Sequence, residues 1–142
     1  MVETEIAGGR AGRQSWPPSA AALIAEWRVR WPAAFTRAVP LAIGFSGQIK
    51  AAIRAKGKPV DRKTLSVAIY LWTRQSAYLR VMARGEMRRN LDGSEAGLPD
   101  EAGLPDDAAR QEAQRLLDER AVRRAERARR ERERRLAAAP AA

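Results

Sequence analysis

Apolar residues set the first helix: Leu23, Ile24 and Trp27 fall on one face of a stretch that Ser19 can cap. It must stop near Trp31, because Pro32 disfavours helical geometry at the residue before it. Pro40-Leu41-Ala42-Ile43-Gly44 is short and apolar, and reads as a strand whose glycine permits a sharp turn. Ser46 can cap a second helix that buries Ile49, Ala52 and Ile53 and ends at Gly57. Asp61 then caps a longer helix over 62–83, with Leu65, Ala68, Ile69, Trp72, Ser76 and Leu79 along one side. Tyr70, Arg74 and Tyr78 lie on the opposite side at steps of four. Met87 to Leu91 alternates ahead of Asp92-Gly93, which predicts a strand running into a tight turn and paired with 40–44. The pattern predicts a mainly α fold with a small β-hairpin or sheet.

From Asp106 to about Ala139 strong helix formers dominate, with carboxylates early and arginines late, as the helix dipole favours. Leu116 and Leu117 can dock its first turns. Beyond Arg120 only Val122 and Leu136 remain of the apolar stripe, so that half reads as a solvated helix or as a basic arm touching nucleic acid. Residues 95–106 are a perfect tandem duplication, EAGLPD-EAGLPD, too few units for a solenoid and read as a lengthened loop. The expected organisation is a disordered arm over 1–18 and a globular domain over 19–95. A duplicated loop over 96–106 and a charged helical extension with a frayed end over 107–142 complete it.

Charge changes this picture once it is divided along the chain. The formal net charge is +10, and residues 1–20 and 94–142 each sum to zero. All of it therefore lies in 21–93, where Glu26, Asp61, Glu86 and Asp92 are the only carboxylates and where every aromatic residue except Trp16 is found. Self-repulsion opposes compactness, so such concentration points to a polyanionic partner. With no cysteine and no histidine, thiolate and imidazole chemistry is excluded. There is no Walker-type phosphate loop, and the four carboxylates have no grouping suited to paired metal ions. A protein without enzymatic activity, cofactor or metal is expected. The longest apolar run, Ala20 to Ala25, is far short of a membrane span, and the first residues lack the pattern of a secretion signal. A soluble, cytoplasmic protein is expected.

In order, Trp31-Pro32-x-x-Phe35, Pro40-Leu41-x-Ile43-Gly44, Lys63-Thr64-Leu65, Tyr78-Leu79 and Arg88-x-x-Leu91-Asp92-Gly93 resemble the ProQ/FinO family of bacterial RNA chaperones. The resemblance covers about residues 19–95 and implies a FinO-like, mainly helical domain with a small β-hairpin. It also implies binding to structured RNA, a stem followed by a single-stranded 3′ tail, in post-transcriptional regulation by small RNAs and at mRNA 3′ ends. It places Arg88 before the Leu-Asp-Gly turn as an RNA-binding residue, and Tyr78 on a concave face. It makes Arg62, Lys63 and Thr64 the helix start that receives phosphate, which is the physics of an anion at a helix N-terminus. Asp61 stands where the family more often has serine or threonine. Ser66, Tyr70, Ala77 and Ala42 stand where it has basic residues. Lys50, Arg54, Arg74 and Arg80 are the basic residues available to compensate. The Tyr70-Arg74-Tyr78 ladder suits base stacking and phosphate pairing, or equally tyrosines packed on another element. A monomer is expected. The rival readings are a protein-interaction adaptor acting through the C-terminal helix and a nonspecific DNA-binding basic protein.

Overall fold

The computed structural model describes residues 16–97 and 103–140. The arm expected over 1–18 lies outside them except for its last three residues, as does the centre of the duplicated hexapeptide. Among the described residues six helices follow one another: α1 (Pro18–Arg30), α2 (Pro32–Phe35), α3 (Phe45–Lys56), α4 (Arg62–Arg74), α5 (Ser76–Ala83) and α6 (Asp107–Ala138).

α1 starts one residue before the expected Ser19 cap. Pro17 occupies the cap position, and Pro18 has the preset φ that suits a first helical turn. Its inward face is Ala20, Leu23, Ile24 and Trp27. The chain breaks at Trp31, whose N–H still reaches Trp27 O at 2.7 Å, and Pro32 opens the single turn of α2. That turn delivers Phe35 into full burial. Its ring centroid lies 5.2 Å from Trp27 and 5.0 Å from Trp72 of α4, the latter edge-on at 61°. Burying a phenylalanine stabilises by about 1.5–3 kcal/mol, and this one ties α1, α2 and α4 together. Gly44, at φ 89°, ends the segment after Pro40 and caps α3, so Ser46 lies inside that helix rather than before it. Gly57, at φ 72°, closes α3 with its N–H on Arg54 O.

The expected β-hairpin or sheet is not there: among the described residues there is no β-strand. Two isolated bridges stand in its place, Leu41 with Arg89 and Arg89 with Glu95. The ladder cannot extend because its donors are spent elsewhere. Pro40 has no N–H, and Leu41 N–H donates to the Tyr78 hydroxyl at 3.1 Å. Arg88 N–H donates to Gly103 O at 2.7 Å. Arg89 N–H to Pro40 O and Ala42 N–H to Arg89 O form the first bridge, and Asn90 N–H to Ser94 O with Ala96 N–H to Arg88 O form the second.

The helix expected over 62–83 is two helices. Gln75 is extended, at φ −68° and ψ 151°, so α4 stops at Arg74 and α5 restarts at Ser76. The junction is closed by a distant residue. Arg120 of α6 donates one guanidinium nitrogen to Arg74 O and another, at 3.0 Å, to Ser76 Oγ. α6 packs chiefly on α5. Asp106, where the sequence reading begins the helix, caps it by accepting Ala109 N–H at 2.8 Å. Ala113 is buried and Ala109, Leu116, Leu117 and Arg120 are half-buried, whereas every described residue from 121 onward is exposed. Along that length Glu119 pairs with Arg115 and Arg123, and Glu131 with Arg134 and Arg135, at helical spacing.

Candidate nucleic-acid interface

Arg88 and Tyr78 meet at Leu41. The chain enters this point after Pro40 in an extended form, which exposes both polar groups of the Leu41 backbone to side chains. Tyr78 Oη accepts Leu41 N–H, while Arg88 Nη1 donates to Leu41 O at 2.8 Å. Tyr78 is 5% exposed, and burial pushes its phenol above the usual tyrosine range against the opposing pull of Leu41 N–H and the Arg88 charge. Arg88 is half-buried and has no carboxylate within ion-pair distance among the described residues. Its Nε is buried without an acceptor. A guanidinium has five donors in a rigid fork, and this one is fixed by a carbonyl rather than neutralised by an acid. Such a group has the chemistry to receive an anion.

The segment around Arg88 is braced from two sides. Gln48 Nε2 of α3 donates to Asn90 Oδ1 at 3.3 Å, and Asn90 Nδ2 donates to Ser94 Oγ at 3.1 Å. Asp92 accepts both the N–H and the hydroxyl of Ser94, at 2.9 and 2.6 Å, which lowers its carboxyl below the usual aspartate range. Gly93, at φ 91°, completes the turn against Ala33. Sequence reasoning did not single out Gln48 or Asn90. The available signal was the Asn-Leu-Asp-Gly-Ser run, rich in residues that bond their own backbone in turns.

The remaining sequence-derived residues form separate groups. At the start of α4, Arg62 and Lys63 are exposed, and Asp61 Oδ2 accepts both Thr64 N–H at 3.0 Å and Thr64 Oγ1 at 3.1 Å. A carboxylate thus occupies the donors that an incoming phosphate would use. Lys50 and Arg54 share the outer flank of α3, away from buried Ile49. Arg80 is exposed on α5, opposite the side that buries Tyr78 and Leu79.

Arg74 lies at the far end of α4, roughly 15 Å along the axis from Thr64. Its guanidinium lies over the Tyr70 ring, 5.1 Å from the centroid. The break at Gln75 splits the Tyr70-Arg74-Tyr78 ladder: Tyr70 is 58% exposed while Tyr78 turns inward. Among the described residues no cluster of acidic side chains is placed to hold a metal ion, and no helix is long and apolar enough to cross a membrane.

The ProQ/FINO family model matches residues 18–134. Among solved structures the chain is similar to a FinO-like RNA chaperone from Neisseria meningitidis MC58, with 20% identity and a TM-score of 0.56. The match covers 87% of this chain and 98% of that one, and at that identity it speaks for the fold. No curated protein matches the sequence.

Proposed function

The chain belongs to the ProQ/FINO family, and we propose on that footing that it is a non-enzymatic RNA-binding chaperone. Its ligand in this reading is a stem-loop followed by a single-stranded 3′ tail, and its role is post-transcriptional control through small RNAs and mRNA 3′ ends. The observation that carries the reading is Arg88, a half-buried guanidinium fixed to Leu41 O and left without a carboxylate. It belongs to the segment 21–93 that carries the whole +10 charge. Side chains cannot read bases inside an A-form stem, so recognition rests on shape, 2′-hydroxyls and phosphates. Lys50, Arg54, Arg62, Lys63, Arg74 and Arg80 supply backbone contacts, and Tyr78 shapes the floor beneath Arg88.

The test is a titration at fixed moderate salt with a hairpin carrying a 3′ uridine tail, the same hairpin without it, and a duplex DNA of equal charge. Preference for the tailed RNA supports the reading; equal binding to all three leaves only a basic surface. If about five phosphates are neutralised, log K falls with log salt at a slope of roughly −3.5 to −4.5. Replacing Arg88 by Ala should weaken binding of the tailed RNA by about 1–3 kcal/mol, and unchanged affinity in a folded variant removes it from the site.

A further inference from the structure

The far end of α4 carries a second basic feature, of which only Arg74 enters the footprint described above. There Arg74 covers one face of an exposed tyrosine, Tyr70, and α6 crosses the body at Arg120. Arg120 is surrounded by its own kind. Burial and the charges of Arg123, Arg74 and Arg124 lower its pKa, while Tyr70 acts in the opposite sense. Arg120 holds Arg74 O, Arg74 covers Tyr70, and Arg123 and Arg124 follow Arg120 by one turn of α6, which gathers the five about one corner.

Helical register decides what lies beyond it. Ala109, Ala113, Leu116, Leu117 and Arg120 are the face of α6 that meets the body. At about 100° per residue, Arg123, Arg124, Arg127, Arg134 and Arg135 fall within roughly 70° of that same face. Past the edge of the body the docking face continues as arginine, with Glu131 as its one carboxylate, so the projecting half carries its charge on the side where Arg120 meets Arg74 and Ser76. Glu126 and Glu133 have no ion pair among the described residues but fall on the far side of the helix, more than about 120° from this face, and the other glutamates here are engaged. Glu119 is held by Arg115 and Arg123, Glu131 by Arg134 and Arg135, and Glu112, the acid on the Arg74 side, by Arg115. Arg124 and Arg127 have no ion pair among the described residues.

We propose that this corner is a second RNA contact, taking a single-stranded segment with a base stacked on Tyr70 and phosphates on Arg124 and Arg127. An aromatic ring backed by a guanidinium, beside a row of uncompensated arginines, is the chemistry that holds single strands without reading sequence. The inference rests on the RNA-binding reading above and enlarges its footprint to the C-terminal end of α4 and the arginines of α6.

The full chain and three variants, Tyr70→Ala, Tyr70→Phe and the double change Arg124→Gln with Arg127→Gln, are titrated with the tailed and the blunt hairpin across a salt series. All three positions are exposed, so the fold should survive, and a circular dichroism melt checks it. Tyr70→Ala should weaken the tailed RNA by about 5- to 150-fold, the range for one lost stacked base, and leave the blunt hairpin unchanged. Tyr70→Phe, which keeps the ring, should bind like the unaltered chain. The double variant should flatten the salt slope on tailed RNA by about 1.4, two single-strand phosphates' worth. Wild-type affinity of Tyr70→Ala for the tailed RNA, or an equal loss on both RNAs, overturns the second contact while the Arg88 reading stands. Failure of the unaltered chain to bind either RNA overturns the RNA reading itself, and the second contact with it.

Discussion

Replacing Tyr78 by Phe removes a single oxygen from the centre of the fold. The ring stays where it is, 5% exposed, and the loss falls on Leu41, whose N–H donates to that oxygen at 3.1 Å and whose residue is fully buried. Pro40 before it has no N–H, and Arg88 occupies the carbonyl after it, so no nearby group is placed to accept the orphaned proton. Leaving one buried donor unsatisfied costs about 1–3 kcal/mol. The phenol oxygen is itself relieved of burial, which places the net cost in the lower half of that range. Urea unfolding followed by the fluorescence of Trp27 and Trp72 should show an unchanged slope. The midpoint should fall by roughly 0.5–1 M, at a typical slope of 1–3 kcal/mol per molar. A second signature separates this from generic loosening. Burial holds the Tyr78 proton on in the folded chain above the pH, about 10, at which the unfolded chain releases it. The folded state then binds more protons, and stability falls as pH rises from there through the raised pKa. The Phe variant has no such loss, so the gap between the two proteins should narrow above about pH 10. A variant as stable as the parent at neutral pH, or a gap that stays constant to pH 11, refutes the reasoning.

At the start of α4 stability and affinity should move in opposite directions. Asp61→Ala loses the bonds to Thr64, costing about 0.5–2 kcal/mol by thermal melt, yet removes a negative charge from a phosphate's approach and so should tighten RNA binding. Asp61→Ser keeps a cap and should show the gain without the cost; weaker binding by both variants contradicts this. Gly93→Ala places a Cβ 2.7 Å from that of Ala33 at φ 91°, and the left-handed conformation alone costs about 1–2 kcal/mol, so an unchanged urea midpoint rules out the close approach. Asp92 has a lowered pKa through its bonds to Ser94, so its contribution is complete above about pH 4, the ordinary value, and fades as pH falls through the lowered one. Asp92→Asn should be less acid-sensitive than the parent in a melt series from pH 5 to 2, and parallel curves would count against the assignment.

Local chemistry was the most legible part of the sequence. Asp61, Asp106 and Gly57 start or stop helices where their side chains or φ preferences require. The inward faces of α1 and α4 follow the spacing of Leu23 with Trp27 and of Leu65, Ala68 and Trp72. What escaped depends on partners far along the chain. The apolar run at Pro40 has a strand's composition, but whether it pairs depends on where Leu41 N–H and Arg88 N–H go, and Tyr78 and Gly103 take them. The break at Gln75 interrupts an otherwise helical pattern and is closed by Arg120. At the site, Arg88 and the Asp61–Thr64 contact could be located by motif. The inward turn of Tyr78 could not, because it follows from that break, whereas Tyr70 keeps the register of α4 and is exposed.

Arg120 also sets an order of events during synthesis. The carbonyl and hydroxyl it caps belong to Arg74 and Ser76, 44 to 46 residues earlier in the chain. At about 5–20 residues per second, that separation is a delay of roughly 2–9 s, long compared with the microseconds in which a helix forms. The aromatic contacts of Trp27, Phe35 and Trp72 need nothing made later than Trp72 itself. The nascent chain therefore holds its aromatic centre for seconds before the α4–α5 corner acquires its last bond, and the corner is completed only when the charged C-terminal helix arrives.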